Sequence, residues 1–289
     1  MAMLSGPRRT GKSVLLRQLM ATLVHEKQIA VRQLLFFEFS PNDTIDAIWP
    51  MVTYFREQVA HTGQRQFLFF DEIQYLPEYE VILKELYDTL GEQIKIVITG
   101  SLSLSYKKRM AESLGGRFFS YRLFPLAFRE YLMFLGKDDV SIFDEMKKEN
   151  DTFRRSSLLT TLNEQFREFL MWGRLPELVG FTHEQTDAYV QSVLGQSLTQ
   201  DAFMYFSIHK PQVVLSLFDY LRAHNGSEIS VQSLSQQLGA NMQTIHKYLD
   251  VLELMGIIYV ISNSTNALVR ENSRKKVYVN SLYGLRETK

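Results

Sequence analysis

Four positions near the amino terminus have the types and spacing of phosphate chemistry. Gly6, Gly11, Lys12 and Ser13, in "LSGPRRTGKSVLLRQLM", follow G-x-x-x-x-G-K-[ST], the P-loop or Walker A pattern, with an apolar run before it and an amphipathic stretch after. A lysine at the mouth of a helix meets a backbone dipole that is already positive, so it is favourable there only beside a polyanion. The expected loop is Gly6, Pro7, Arg8, Arg9, Thr10, Gly11, Lys12, Ser13 and Val14. Its glycines let successive N–H groups converge on phosphate oxygens, Lys12 neutralises the β and γ phosphates, and the Ser13 hydroxyl ligates Mg²⁺. No structural partner is expected for the Lys12 charge, so its removal should abolish ATP binding without unfolding the protein.

A second anchor for the metal comes from "QFLFFDEIQ", an apolar strand that delivers Asp71 and Glu72 at its carboxyl end. Asp71 would hold Mg²⁺ through water. Glu72 would orient and deprotonate an attacking water, with Gln74 next in line should Glu72 fail. "IKIVITGSLSLS" ends in Thr99, Gly100 and Ser101, of which Ser101 is the preferred contact to the water or γ phosphate. Arg117, after two glycines, would act as a finger on the nucleotide of a neighbouring copy in a homo-oligomer. A solvated strand end and a surface arginine remain the plain alternatives.

These groups need a sheet to hold them. "MAML" (1–4), "LLFFEF" (34–39), "FLFF" (67–70), "IKIVIT" (94–99) and "FFSYRLF" (118–124) read as strands alternating with helical stretches, which predicts a parallel α/β sheet covered on both faces. The 289 residues, 45% hydrophobic, are enough for two or three domains, and the absence of cysteine excludes disulfides, thiol catalysis and cysteine-held metal. No apolar run approaches the roughly 18 residues of a membrane span and no secretion signal opens the chain, so no membrane partner and a cytoplasmic location are expected.

Charge divides the chain although its total is zero, 32 basic against 32 acidic. Residues 1–136 carry 16 basic and 14 acidic groups, 137–209 carry 7 and 12, and 210–289 carry 9 and 6, or +2, −5 and +3. The expected domains are a P-loop ATPase core (1–136), a helical linker or lid (137–209), and a winged helix-turn-helix with the start of a truncated carboxyl-terminal domain (210–289). In the last, "VVLSLFDYLRAHNG", "EISVQSLSQQLG" and "ANMQTIHKYLDVLELMG" read as three helices, and "IIYVIS" and "KKVYVN" as two strands. Asn241, Gln243, Thr244 and Lys247 are candidate contacts to duplex DNA from the third helix, and Arg270, Arg274, Lys275 and Lys276 from the wing. Winged helices also serve as ATPase lids and protein-docking modules, which leaves the partner open.

"GPRRTGKS", "FLFFDEIQYLP", "VITGSLSLS", "ESLGGRFFSYRLFPLAFREYL" and "WGRLPELV" together resemble the AAA-type ATPases of bacteria and archaea labelled AAA_14 with DUF4143, over nearly the whole chain. The resemblance implies a sheet of order 5-1-4-3-2, with the strand ending at Ser101 between the P-loop strand and the acidic strand. It implies also that Gly173 and Pro176 belong to a helical lid over the base, with Arg174 where relatives commonly have a second glycine. Relatives carry residues before the first strand and a nuclease-like domain after "KKVYVNSLYGLR", where Asn280 replaces an aspartate. A member truncated at both ends, without nuclease activity, is therefore expected.

Two functions fit these readings. One is an ATP-hydrolysing enzyme acting on DNA; the other is a slow nucleotide-controlled switch that binds protein or operator. A P-loop kinase is disfavoured, because Glu72 beside Asp71 suits water activation and no arginine cluster for a second phosphate substrate is apparent.

Overall fold

The five apolar runs become one sheet in the computed structural model, which describes residues 1–60, 63–100, 118–136, 147–171, 173–202, 206, 208, 210–262 and 275–280. The strands are β1 (Ala2–Ser5), β2 (Leu34–Glu38), β3 (Gln66–Asp71), β4 (Ile94–Gly100) and β5 (Phe119–Arg122). They lie in the order β2-β3-β4-β1-β5, and every pairing is parallel. This is the order that the family resemblance implied, with β4 between the P-loop strand and the acidic strand. Parallel neighbours need long crossovers, supplied here in part by α1 (Lys12–His25), α2 (Ile48–Tyr54) and α3 (Tyr79–Leu90).

The middle of the sheet is dry. Leu68 and Phe70 of β3 and Ile96 and Ile98 of β4 are buried in one core with Ile48 and Val52 of α2 and Leu83 and Leu86 of α3. Burying such side chains contributes about 1.5–3 kcal/mol each, which fixes the strand ends where the polar residues emerge. By contrast β5 is an edge strand whose four side chains are all exposed.

The chain divides into two compact units, Met1–Phe124 and Pro125–Lys289. In the second lie α4 (Phe128–Phe134), α5 (Thr152–Met171), α6 (His183–Gln196) and α7 (Pro211–Ala223). There follow β6 (Glu228–Ile229), α8 (Val231–Gln237), α9 (Met242–Leu254), β7 (Ile258–Ser262) and β8 (Lys275–Val279). The three helices and two strands read from the sequence are present, and β6 is an addition. It pairs with β8 in an antiparallel sheet of order β6-β8-β7.

Local chemistry starts these helices. Thr182 and Gln185 form a reciprocal capping box at α6, Ser230 caps α8, and the Asn241 Oδ1 accepts from the Thr244 N–H at α9. One core takes side chains from both sides of residue 210, including Leu175, Val193, Leu194 and Ile208 before it and Leu217, Ile245, Leu249 and Val277 after it. Asn280 is buried at the end of β8, where its Nδ2 donates to the Gly256 carbonyl and its N–H to the Ile257 carbonyl. Among the described residues no helix is long and apolar enough to cross a membrane.

Candidate nucleotide-binding site

β1 ends at Ser5 and α1 begins at Lys12, so residues 6–11 form the connecting loop at the carboxyl edge of the sheet. Two of its residues take left-handed backbone, Arg9 at φ 66° and Gly11 at φ 92°. Gly11 is the residue before α1, and its conformation turns the chain into the helix. Gly6 is needed for a different reason. A Cβ there would lie 2.4 Å from the Leu123 carbonyl oxygen, and Leu123 is tied to β1 by its own N–H on the Ser5 carbonyl at 2.7 Å. Gly6→Ala is therefore expected to destabilise the protein by about 1–3 kcal/mol through overpacking, read as a lowered melting temperature. An unchanged melt would show that the β5 end yields freely.

Lys12 is buried, and its Nζ donates to the Gly6 carbonyl at 3.2 Å and the Pro7 carbonyl at 2.9 Å. The expectation that Lys12 has no structural partner is thus corrected: the ammonium pins the loop that leads to it. Thr10, also buried, donates its hydroxyl to the same Pro7 carbonyl at 2.9 Å. Ser13 is half-buried in the first turn of α1, Arg8 is half-buried, and Arg9 and Val14 are exposed.

Asp71 terminates β3 with no exposed surface. Its Oδ1 accepts from the Thr99 hydroxyl of β4 and from the Glu72 N–H at 3.2 Å, and that N–H also lies 3.2 Å from the Thr99 Oγ1. Its Oδ2 is buried and has no hydrogen-bond partner among the described residues. An unsatisfied buried carboxylate oxygen is costly, and a cation or a cation-bound water satisfies it. The donor set fits Mg²⁺, a hard ion bound through one or two protein oxygens plus phosphates and water: Asp71 offers a carboxylate and Ser13 a hydroxyl. β4 alone separates β1 from β3, so the end of β3 lies two strand spacings, about 10 Å, from the end of β1.

Glu72 follows in left-handed backbone at φ 53°, a conformation that costs a non-glycine residue about 1–3 kcal/mol and recurs at active sites. It is half-buried, and its Oε2 accepts from the Gln74 Nε2. Among the described residues at the end of β4, Thr99 reaches the acidic pair; from the sequence it was named with Gly100 and Ser101, and Ser101 was preferred. Register was the missing signal: Phe70 lies opposite Ile98, which sets Asp71 level with Thr99. Ser101 and Arg117 lie outside the described residues.

Gly173 and Pro176 belong to the second unit. A Cβ on Gly173 would meet the Tyr131 ring at 2.6 Å, and Pro176 opens a single 3₁₀ turn, Pro176–Leu178. Burial, and then Glu168, raise the pKa of the Tyr131 hydroxyl above its ordinary value. On α9, Gln243 and Lys247 are exposed and Thr244 half-buried, while the Asn241 side chain is engaged in its cap. Lys275 meets the His246 ring nitrogen at 3.3 Å, Lys276 lies over the Tyr278 ring, and Arg270 and Arg274 lie outside the described residues.

The phosphate loop and the acidic strand end thus stand at the carboxyl edge of one sheet, with β4 between their strands. Residues 1–132 match the AAA domain. Beyond the AAA domain, residues 163–281 match a domain of unknown function, DUF8612, where the resemblance had named DUF4143. An uncharacterised protein of Haemophilus influenzae is 25% identical over 262 residues, 89% of this chain and 60% of its own length. An uncharacterised protein of Methanocaldococcus jannaschii is 27% identical over 293 residues, 95% of this chain and 59% of its own. The chain thus spans somewhat over half the length of these relatives. Among solved structures, the Aeropyrum pernix Orc1 protein in complex with DNA aligns at a TM-score of 0.40 and 12% identity, over 97% of this chain and 84% of that one.

Proposed function

We propose that the AAA domain binds Mg-ATP and hydrolyses it, and that the second unit couples this cycle to duplex DNA. The observation that carries the first part is the fully buried Oδ2 of Asp71, without a hydrogen-bond partner among the described residues, at the sheet edge from which the loop before α1 starts. In this reading the loop N–H groups and Lys12 hold the triphosphate, with Ser13 and Asp71 as oxygen ligands for the ion. Mg²⁺ supplies neutralisation of the charge that develops between the β and γ phosphates. Thr99 keeps the Asp71 carboxylate oriented, and Glu72 takes the proton of the attacking water.

The DNA part rests on topology and exposure. A helix, a short strand, two helices and two antiparallel strands are the parts of a winged helix-turn-helix, and α9, the third helix of that set, presents Gln243 and Lys247 outward. On β8 Lys276 is exposed, and its neighbour Lys275 meets His246 of α9.

Calorimetric titration with Mg-ATP and phosphate release with and without duplex DNA test both parts. Binding of Mg-ATP and a turnover raised severalfold by DNA are expected. No binding would sink the first part, and turnover indifferent to DNA the second. A rate below about one per minute with tight ATP retention would instead favour the slow switch.

A further inference from the structure

Gln74 is a buried amide with one end engaged and the other empty-handed. It is 6% exposed, its Nε2 donates to the Glu72 Oε2, and its Oε1 has no hydrogen-bond partner among the described residues. The chemistry fixes which end is which: an ionised carboxylate only accepts, so the NH₂ must face Glu72 and the carbonyl oxygen must point elsewhere. A buried acceptor without a donor is retained at a cost, and it calls for a ligand that brings the donor. Water is such a donor, and the group beside Gln74 is the one assigned to activate it.

We infer that Gln74 is a positioning residue that holds Glu72 with its Nε2 and the attacking water with its Oε1. The inference rests on the reading of the AAA domain as an ATP hydrolase and specifies how the water is fixed. The two side chains meet because Glu72 takes left-handed backbone and opens the 3₁₀ turn Ile73–Tyr75, which folds residue 74 back towards residue 72. Held between a carboxylate and an amide oxygen, the water has both hydrogens committed and its lone pair directed away from them. In the reaction the Glu72 carboxylate takes one proton as the water oxygen bonds to the γ phosphorus. The bond from that phosphorus to the β–γ bridging oxygen breaks, and its electron pair leaves on ADP. The second hydrogen stays on the oxygen delivered to inorganic phosphate, so Gln74 remains a neutral amide throughout.

The deciding variant is Gln74→Met, which keeps the length of the side chain and removes both the donor and the acceptor. Phosphate release, the Mg-ATP dissociation constant and the melting temperature are measured on it, on Gln74→Glu, on Glu72→Gln and on the double variant Glu72→Gln/Gln74→Met. Gln74→Met is expected to lower kcat about tenfold or more while ATP affinity stays within about twofold. Added to Glu72→Gln, it should lower kcat by less than about threefold further, because both residues act on one water. Gln74→Glu keeps an oxygen for the water but sets a carboxylate against Glu72, and its kcat should fall at least as far. Should Gln74→Met fail to fold, Gln74→Glu decides.

An unchanged kcat in a variant that binds ATP would overturn the inference. So would a full multiplicative loss in the double variant, or parallel losses of kcat, ATP affinity and melting temperature. The unmodified protein is assayed first: if it binds Mg-ATP and releases no phosphate, hydrolysis itself is wrong and the role of Gln74 falls with it.

Discussion

Lys12→Ala protein is expected to bind Mg-ATP at least about 30-fold more weakly than the unmodified protein, the effect of losing about 2–5 kcal/mol from a desolvated charge pair. The larger part of that loss is electrostatic. Lys12 is buried at the start of α1, where the helix dipole and the convergent N–H groups already favour an anion, and the ammonium adds a full charge in a place that water screens poorly. The structure adds a second component. Because the Nζ donates to the Gly6 and Pro7 carbonyls, the alanine variant also leaves two loop carbonyls without that donor. Its melting temperature should fall by the equivalent of about 1–3 kcal/mol. Calorimetric titration and thermal unfolding of the same preparation separate the components, and Lys12→Met, which keeps the apolar stem, isolates the charge. Affinity equal to that of the unmodified protein would remove Lys12 from the site.

How much of this was legible in the sequence differs from residue to residue. Strand positions were readable within one or two residues because buried parallel strands are near-continuous apolar runs, as in "FLFF" and "IKIVIT". The P-loop was readable because its glycines answer to local demands, a left-handed backbone at Gly11 and a close backbone approach at Gly6. Strand order came from the family resemblance and not from periodicity, which says nothing about which strand lies beside which.

Thr99 was named at the strand end but not chosen, for a reason of geometry. Alternation puts positions 99 and 101 on the same strand face, so only the register of β4 on β3, with Phe70 opposite Ile98, sets Thr99 level with Asp71. Gln74 was visible only as an alternative base, since its hold on Glu72 depends on a left-handed backbone that no residue type at position 72 announces. The partners of Lys12 were missed because backbone carbonyls leave no mark in a sequence. The helices before residue 210 also share a core with those after it, and an amphipathic stripe does not say which other stripe it meets.

Glu72→Gln tests the chemistry with the least disturbance to the fold. Glutamine has the shape of glutamate and retains an oxygen to accept from the Gln74 Nε2, so the contact that orients residue 72 has a replacement. The backbone N–H of residue 72, shared between the Asp71 carboxylate and the Thr99 hydroxyl, is untouched. What is lost is a base: the amide does not accept a proton from water. Phosphate release should therefore fall about 100-fold or more, the lower end of what a positioned general base contributes, while Mg-ATP affinity changes by less than about twofold. That split matters, because a residue that merely supported Asp71 would lower affinity and rate together. Stability should stay within about 0.5 kcal/mol, as for a surface substitution without a broken network. Single-turnover phosphate release with enzyme in excess reads the chemical step without product release. A rate equal to that of the unmodified protein, with ATP bound, would show that another group takes the proton; loss of ATP binding would place Glu72 among the groups that hold the nucleotide instead.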